Sequence, residues 1–480
     1  MTVERSGETT KEWGPDDLDR AITKSRLLLP EAIDALCEVI TETTGLRPSR
    51  ERVEYVSTFW LMHACDAEIY GQSDGVRQMK VEPDSTWQFR SSRRSRIMAL
   101  AGTRRAPVRV TDPYLKTSLT DEFLGALRGR QIVRWQSTSS PRLSGADVNV
   151  ERRASLARQF ALRDENSLLR RSVALTAPVE LVEQHHTLLA WAKSNVDSRA
   201  RAMYAANAHQ SSTSFRHLLY EQRLTGSKIA IHQHGGGYGI DMQHPGEFHD
   251  ILIADVFYTW GWNRPDLGNK VKSLATAFPA RHRGRPSRHY LLMSLAVTPN
   301  FYRLQAFVLP QHIDRVVAET ESFVRSLNSA VPLHLRSSGS TDFPMNRLHG
   351  SAVSLTKDER HESGSLAASR SKLVVHNYLG TPWLETLAMN VPTVCYYDPA
   401  IFRPREAARP YLEELARVGV LHHSGAEAAR FVNDLNGDPS VWWNKPEVQE
   451  AREKFVARYA NFKEDWLPGW IEEFERLLAE

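Results

Sequence analysis

The residues best suited to catalysis are concentrated in the segment 228–262, KIAIHQHGGGYGIDMQHPGEFHDILIADVFYTWGW. His232 and His234 close an apolar, strand-like run and share one face if the strand continues through Gln233. A neutral imidazole at the end of a strand could take a proton from a hydroxyl group, because its pKa lies near the working pH. We therefore interpret His234 as the candidate base and His232 as the second candidate. A structural role for His234, holding the following loop by hydrogen bonds, is the alternative.

A glycine-rich loop follows the two histidines. Gly235, Gly236 and Gly237 stand in a row before Tyr238, and consecutive glycines weaken helices and strands because glycine loses the most backbone entropy on folding. They are tolerated where the backbone turns sharply or lets a ligand come close. GGGYG does not match the G-x-G-x-x-G pattern that opens a helix in dinucleotide-binding proteins. We expect this loop to form the edge of a catalytic site.

Residue types that bind metal ions follow the loop, at His244, Glu247, His249 and Asp250. Their spacing, His-x-x-Glu-x-His-Asp, comes after a glycine-rich loop and not on a strand or helix that would fix the ligand geometry. The sequence therefore predicts no metal site and no cofactor.

A second buried strand, LVVH at 373–376, is also followed by polar residues. Asn377 leads into a helix that Thr381 could cap, with Pro382 at its first position. The N–H groups and the positive dipole end of such a helix are suited to binding a phosphate. Glu385, one turn further, could accept hydrogen bonds from sugar hydroxyls. An ordinary strand-to-helix connection is the alternative.

Two basic side chains on another predicted strand are further candidates for binding phosphate. Arg336 ends the strand-like run PLHLRSS, and a guanidinium can bind a diphosphate in bidentate fashion. His334 lies two residues earlier, and therefore on the same face.

The periodicity of the chain indicates the fold class. Helical patterns cover residues 16–72 and most of 118–205, including 179–206, and from about residue 213 to 440 helices alternate with short, nearly continuous apolar strands. This alternation predicts parallel sheets covered by helices. We expect an α/β protein with two Rossmann-like lobes and a helical N-terminal elaboration. Its divisions would be an N-terminal lobe at 1–285, a C-terminal lobe at 286–445, and helices at 446–480 that pack back across the lobes.

Composition excludes several classes of protein. No apolar run approaches the ~18–20 residues that span a bilayer, and the polar N-terminus favours neither export nor an anchor. Three widely spaced cysteines, Cys37, Cys65 and Cys395, argue for a reducing compartment and against a disulfide framework. We expect a cytoplasmic protein. G-x-x-x-x-G-K-[ST] and G-x-S-x-G are both missing, which disfavours a P-loop hydrolase and a serine hydrolase.

Two clusters of arginines stand out from a net charge of +4. Solvated loop surface is one interpretation, and contact with phosphates or with an anionic membrane surface is the other. Neither has the aromatic residues or motif context of a nucleic-acid binder, so no nucleic acid is expected. The clusters are Arg90, Arg93, Arg94 and Arg96, and Arg281, Arg283, Arg285 and Arg288 with His282 and His289.

Five segments between residues 213 and 460 resemble, in order, a transferase family of O-antigen and surface-polysaccharide biosynthesis with a two-lobed, GT-B-like fold. At 378–381 this chain keeps the threonine but lacks the serine of similar proteins. The segments are IHQHGGGYG, EFHDILIADVFYTWGW, LVVHNYLGTPWLETLAMNVPTVCYYD, RPYLEELARVGVLH and DPSVWWNKPEVQEAREKFVARYA.

The resemblance implies that a sugar is transferred from a nucleotide-activated donor to a glycan or lipid-linked acceptor. The C-terminal lobe, 286–445, would bind the nucleotide sugar, and the N-terminal lobe, 1–285, would form the acceptor side. Peripheral contact with the inner membrane is an open possibility. The His234-Gly235 pair is also similar to one in polyol-phosphate polymerases of the teichoic-acid type, where a histidine acts as the base. Transfer of a polyol phosphate from a CDP-linked donor is therefore one alternative, and a non-catalytic scaffold of the same fold is another.

Overall fold

The structure is a computed structural model. It describes residues 14–70, 106–115, 117–129, 132–135, 148–163, 168–242, 244–280, 288–295, 309–328, 332–337, 355–357 and 362–479. The chain forms two compact units. The first unit comprises residues 25–239, 244–279 and 456–480, and the second comprises 1–24, 240–243 and 280–455.

A six-stranded parallel sheet forms the core of the first unit, in the order β2-β1-β3-β4-β5-β6. The chain runs outwards from β1 to β2 and then returns to the other side of β1 with β3. The carboxyl ends of β1 and β3 therefore flank a topological switch point, the place where ligands bind in open α/β sheets. The strands are β1 Val108–Asp112, β2 Val133–Trp135, β3 Ala202–Ala205, β4 Lys228–His232, β5 Val256–Thr259 and β6 Val271–Ser273.

Helices cover this sheet because each has an apolar face to bury. The C-terminal helix, Trp466–Ala479, packs Trp470 and Phe474 against Tyr204 of β3. A short parallel pair, Thr276–Ala277 with Phe462–Lys463, adjoins it. The other helices are α1 Pro15–Thr44, α2 Arg50–Tyr70, α3 Thr117–Gly129, α4 Val150–Arg163, α5 Leu168–Thr176, α6 His185–Ser194, α7 Ala208–Ser211, α8 Thr213–Leu224 and α9 Pro245–Ile253.

The second unit repeats the architecture with a six-stranded parallel sheet in the order β9-β8-β7-β10-β11-β12. Its switch point lies between the carboxyl ends of β7 and β10. The strands are β7 Tyr290–Ser294, β8 Leu333–Ser337, β9 Leu355–Lys357, β10 Leu373–His376, β11 Thr393–Tyr396 and β12 Leu421–His422. The helices are α10 Ile313–Ser326, α11 Gly364–Arg370, α12 Thr381–Ala388, α13 Arg409–Arg417, α14 Gly425–Asp434, α15 Pro439–Trp443 and α16 Pro446–Tyr459. Short 3₁₀ turns cover Pro265–Lys270 in the first unit, and Pro310–His312 and Glu406–Ala408 in the second.

The expected fold class, two Rossmann-like sheets with a helical N-terminal elaboration, is confirmed. One secondary-structure prediction is wrong: residues 202–205, assigned to a helical region, form β3. Alanine and methionine favour helices, but β3 is buried between β1 and β4, and sheet pairing overrides a weak local preference. The two compact units are divided at 279/280 and 455/456, where the sequence placed the divisions at 285/286 and 445/446, and residues 1–24 and 240–243 belong to the second unit.

Some expectations from the sequence fall outside or at the edge of the described residues. Of the two basic clusters, only Arg288 and His289 are described, so contact with phosphates or a membrane stays a prediction. Among the described helices, none has the length and apolar character needed to cross a membrane. The three cysteines are all free thiols, as expected.

The packing of α14 against α10 gives a test of the second unit. A methyl group on Gly425 would lie 2.0 Å from the carbonyl oxygen of Glu319. We expect Gly425→Ala to reduce the free energy of unfolding by about 1–3 kcal/mol, because one helix must move away from the other. Thermal unfolding of the purified variant measures this. Ala426→Ser, which adds one atom at a half-buried position in the same turn, is the control, and equal melting temperatures for both variants would contradict the described packing.

Candidate functional site

The loop after β4 is fixed by a glutamine. The Oε1 atom of Gln233 accepts hydrogen bonds from the backbone N–H of Trp260 (3.0 Å) and the indole N–H of Trp262 (2.8 Å), while its Nε2 donates to the carbonyl of Gly235 (2.8 Å). All of these groups are positioned by the ends of β4 and β5. The loop at the carboxyl edge of the first sheet is therefore held in a defined conformation.

Two glycines give this loop its turn. Gly237 and Gly239 have φ angles of 86° and 72°, a region that side chains other than glycine rarely adopt. A Cβ atom on Gly239 would also lie 2.5 Å from the Trp262 ring. The prediction of a sharp turn is confirmed at Gly237. Gly235 and Gly236 are half-buried.

His232, the last residue of β4, lies among aromatic rings. Its side chain is 2% exposed, the Trp470 ring centroid is 4.8 Å away, and its Nδ1 lies 3.3 Å from the hydroxyl of Tyr204. Burial, reinforced by His234, lowers the pKa of His232 to about 3. These contacts are those of a core residue, and an acceptor cannot reach the ring in this conformation. A catalytic role for His232 stays a prediction without support from its surroundings.

His234 has a different environment, because it lies one residue beyond Gln233 and is only half-buried. Its Nδ1 lies 3.3 Å from the hydroxyl of Tyr238, and its ring meets the edge of Tyr114. Burial lowers the pKa of His234 to about 4, although the charge of Asp250 and the backbone of Ala206 oppose the shift. The ring is therefore neutral at pH 7, which is the form able to accept a proton.

Asp250 on α9 joins these groups into one network. Its Oδ1 accepts from His209 Nε2 (2.6 Å) and Gln210 Nε2 (2.9 Å), and its Oδ2 accepts from the Tyr238 hydroxyl (2.8 Å). Gln210 Nε2 also donates to the hydroxyl of Tyr238 (3.0 Å). Burial raises the pKa of Asp250, but His209 and His249 outweigh it and hold the pKa below its usual range. Asp250 is a fully buried carboxylate.

The potential metal ligands separate into two groups. His244 Nδ1 caps α9 by accepting from the N–H of Glu247 (3.0 Å), and Glu247 Oε2 accepts from the N–H of Gly239 (2.9 Å). His209, His249 and Asp250 lie close enough together to be considered as a metal site, and all three are buried. The 2.6 Å separation of His209 and Asp250 is a hydrogen-bond distance, shorter than the ~3.3 Å between neighbouring tetrahedral ligands that metal bonds of ~2.0–2.1 Å imply. This geometry favours a hydrogen-bonded pair over a metal site.

In the second unit, Asn377 follows β10 and lies at the switch point, but its amide is used within the protein. Its Oδ1 accepts from the N–H of Leu295 (2.8 Å), and its Nδ2 donates to Ser294 (2.9 Å) and Thr320 (3.0 Å). Only 4% of the residue is exposed. Asn377 therefore ties β7, β10 and α10 together, and a contact with the donor stays a prediction.

The start of α12 differs from the sequence prediction in one respect. Gly380 is the N-cap and Thr381 is the first helical residue, so the predicted cap by the Thr381 side chain is wrong. A Cβ atom on Gly380 would lie 2.1 Å from the Tyr378 ring, which leaves no room for a capping side chain. Pro382 occupies the first turn, as expected. The helix therefore presents its positive end without a side-chain cap.

The remaining predicted donor residues are spread along β8 and α12. Arg336 Nη2 donates to the carbonyl of Glu362 (2.7 Å), and Glu385 Oε2 accepts from Ser365 (2.9 Å). His334 and Arg336 are both half-buried on alternate positions of β8, as predicted for one face. His334 stacks on His289 with 4.0 Å between ring centroids, which places it towards the amino end of β7. Donor binding by these residues stays a prediction.

Comparison with known families gives one match over most of the chain: the model described as LIC12162 family transferase matches residues 70–474. The chain belongs to this family. It is therefore a transferase.

Solved glycosyltransferase structures are also similar to the chain, at low identity. The O-GlcNAc transferase of Thermobaculum terrenum shares 13% identity, with 96% of this chain and 84% of that chain covered and a TM-score of 0.39. MurG of Acinetobacter baumannii shares 12%, covering 77% and 99%, also with a TM-score of 0.39. SnogD of Streptomyces nogalater shares 12%, covering 78% and 98%, with the same TM-score. Similarities at this level carry no inference about substrates or mechanism. No curated protein matches the chain significantly.

Three residues of the site in this transferase were not found from the sequence. His209 and Gln210 follow β3, and they were missed because that strand was not recognised. Gln233 stands between the two candidate histidines. The only signal in the sequence was that successive residues of a strand point to opposite faces, so that the side chain of Gln233 would point away from those of His232 and His234. Once β3 is known, its carboxyl end lies beside that of β4, and His209 becomes an expected member of the site.

The buried histidines of the transferase predict acid sensitivity. The pKa of His232 is lowered to about 3, so between pH 6.5 and 3 the unfolded chain binds a proton that the folded protein does not. The contribution of the buried, neutral His232 to the free energy of unfolding is therefore fully present above about pH 6.5 and is lost as the pH falls. We expect His232→Phe, which keeps an aromatic ring in this position, to make the melting temperature less dependent on pH between 7 and 5. His186→Ala, at an exposed position, should leave the dependence unchanged, and an unaltered slope in His232→Phe would contradict the shift.

Proposed function

We propose that this transferase moves a sugar from a nucleotide-activated donor to a hydroxyl of a surface glycan or lipid-linked acceptor, by direct displacement without a metal ion. The observation that carries the proposal is the start of α12, a helix without a side-chain cap beside the switch point of a Rossmann-like sheet. We further propose that it works in the cytoplasm, with the inner membrane as a surface where its acceptor is found.

The electrostatics of α12 support a diphosphate. A helix N-terminus carries about half a positive charge and directs N–H groups outwards. Several other helices of this protein use that end internally: Ser212, Ser363 and Ser424 each cap their own helix. Gly380 has no side chain to do so, and Pro382 in the first turn has no N–H group. The negative charge of a nucleoside diphosphate would be stabilised here, with Arg336 as a further cationic partner.

The proposed step forms one bond and breaks one. The acceptor oxygen attacks the anomeric carbon of the donor sugar, and its proton passes to His234. The bond from that carbon to the phosphate oxygen breaks, and its electron pair leaves with the nucleoside diphosphate. Stabilisation of that leaving charge by preorganised donors is the kind of interaction that usually contributes most to catalysis. Asn377, Thr381 and Glu385 are the proposed contacts to the rest of the donor.

A thermal-shift panel of sugar nucleotides and CDP-glycerol tests the donor class. A ligand at ~100 times its dissociation constant should add ~2.7 kcal/mol to the stability of the folded protein. We expect one sugar nucleotide to raise the melting temperature and Arg336→Ala to reduce its affinity by roughly 10–100-fold, the loss of one or two charge-assisted hydrogen bonds. Arg370→Ala is the matched control, because Arg370 pairs with the side chain of Glu362 and lies at an exposed position.

The other outcomes of the panel contradict the proposal in different ways. A shift with CDP-glycerol alone would indicate transfer of a polyol phosphate. No shift with any nucleotide at millimolar concentration would favour a scaffold without catalysis.

Substitution of His234 tests the base. Loss of general-base catalysis typically reduces the rate by about 10²–10⁴-fold. We expect His234→Ala to lower kcat in this range while KM for the donor is nearly unchanged, measured as nucleoside diphosphate released from the sugar nucleotide that stabilises the protein. His186→Ala should behave as wild type. Near-normal turnover by a folded His234→Ala variant would show that another group takes the proton.

A further inference from the structure

The carboxylate of Asp250 has no exposed surface and is surrounded by donors. His209 and Gln210 approach one oxygen, and the Tyr238 hydroxyl approaches the other. A substrate cannot contact this carboxylate. It acts on His234 through its charge and through Tyr238, whose hydroxyl lies 3.3 Å from Nδ1 of the His234 ring.

Counting the protons available to these groups shows which atom donates and which accepts in each hydrogen bond of the network. A carboxylate can only accept, so the Gln210 amide must point its NH₂ group towards Asp250, and the same group donates to the oxygen of Tyr238. Tyr238 has one hydroxyl proton, and the carboxylate at 2.8 Å is a closer and stronger acceptor than the imidazole nitrogen at 3.3 Å. The remaining lone pair of Tyr238 can therefore accept from Nδ1–H of His234, whose ring also hydrogen-bonds to the backbone of Ala206. With the single proton of the neutral ring on Nδ1, Nε2 is the nitrogen left to accept one.

The packing around Tyr238 leaves no space for another arrangement. A Cβ atom on Gly246 would lie 2.7 Å from the Tyr238 hydroxyl and 2.9 Å from Gln210 Nε2. The ring of Tyr238 lies between those of His244 (4.1 Å between centroids) and Phe257 (6.0 Å). The hydroxyl is therefore held at the single position where Gln210, Asp250 and His234 all reach it.

We propose that Tyr238 and Asp250 are positioning residues that hold His234 in one orientation and in the Nδ1–H tautomer, so that Nε2 is the atom that accepts a proton. This inference rests on the proposed function, in which His234 is the base. Burial makes His234 a weak base, and the charge of Asp250 acts on the ring through space and stabilises its protonated form. The network thereby offsets part of the effect of burial at the moment of proton transfer.

The titratable groups around His234 come from several elements. Tyr238 lies on its own loop, His232 on β4, His209 on α7 and Asp250 on α9, while Tyr114 follows β1. Asp250 is the member of this set that raises the pKa of His234 most, whereas His209 lowers it.

Nitrogen-15 NMR of the full-length protein labelled in histidine tests the proposal without any substrate, with the His234 signals assigned by their loss in His234→Ala. We expect the Nδ1–H tautomer in the wild type and a roughly fivefold change in the tautomer ratio in Tyr238→Phe, the equivalent of losing one hydrogen bond of about 1 kcal/mol. Asp250→Asn should lower the pKa of His234 further. Tyr114→Phe, which alters the other tyrosine against the same ring, should change neither quantity.

Gly246→Ala is a second variant for the case that Tyr238→Phe does not fold, because it displaces the hydroxyl without removing any polar group. Gly125→Ala, where nothing lies within 4 Å of the new methyl group, is its matched control. We expect the change in tautomer ratio in Gly246→Ala and not in Gly125→Ala.

Two results would overturn the proposal. One is an Nε2–H tautomer in the wild type, or a ratio that neither Tyr238→Phe nor Gly246→Ala alters. The other is one equivalent of bound transition metal that is lost in His249→Ala, since the cluster of His209, His249 and Asp250 would then be a metal site. These results are independent of turnover. A correct tautomer together with full activity of His234→Ala would instead reject the base and leave the positioning network in place.

Discussion

The buried charge of Asp250 is the constraint on which the carboxyl edge of the first sheet depends. An ionised carboxylate without water is unfavourable by several kcal/mol unless donors replace its hydration. The donors come from two separate segments: His209 and Gln210 after β3, and Tyr238 in the loop after β4. Each segment is therefore fixed relative to α9, and the glycine loop between β4 and α9 has one conformation in which all the bonds can form. Loss of any donor would leave part of the charge unpaired.

In the second unit, neutral groups hold the strand ends together. Its strand ends are joined by the Asn377 amide, which bonds to the backbone of Leu295 and to two hydroxyl groups. No buried charge is needed, and the start of α12 keeps its positive end available because Gly380 cannot cap it. The two sheets thus share a topology but differ in the chemistry at their switch points. One edge holds an ordered histidine beside a carboxylate, and the other is suited to an anion.

Local signals explain most of what could be predicted. The limits of α8, β4 and α12 follow from apolar periodicity and from Gly226 and Pro382, which act on neighbouring backbone whatever the rest of the chain does. The strand β3 was missed because three of the four residues in AMYA favour helices, and its pairing with β1 and β4 is a non-local interaction. The roles of His209 and Gln210 were missed with it. The sequence placed His232 and His234 on one face, as neighbours at i and i+2, but in the structure the first is buried between Trp470 and Tyr204, and the second lies beside Tyr238.

By itself, the sequence determined the fold class, the two strand ends with polar residues, and the need for glycine in the loop after β4, because periodicity and backbone sterics are local properties. Only the tertiary structure decided which side chains share a site. In the folded protein His209, which follows β3, contacts Asp250, and the Asn377 amide bonds within the protein. The N-cap of α12 is Gly380 and not Thr381. These outcomes depend on distances between segments far apart in the chain. The glycine loop depends on both: its composition predicted a turn, and the hydrogen bonds of Gln233 and Asp250 determine where His234 and Tyr238 lie.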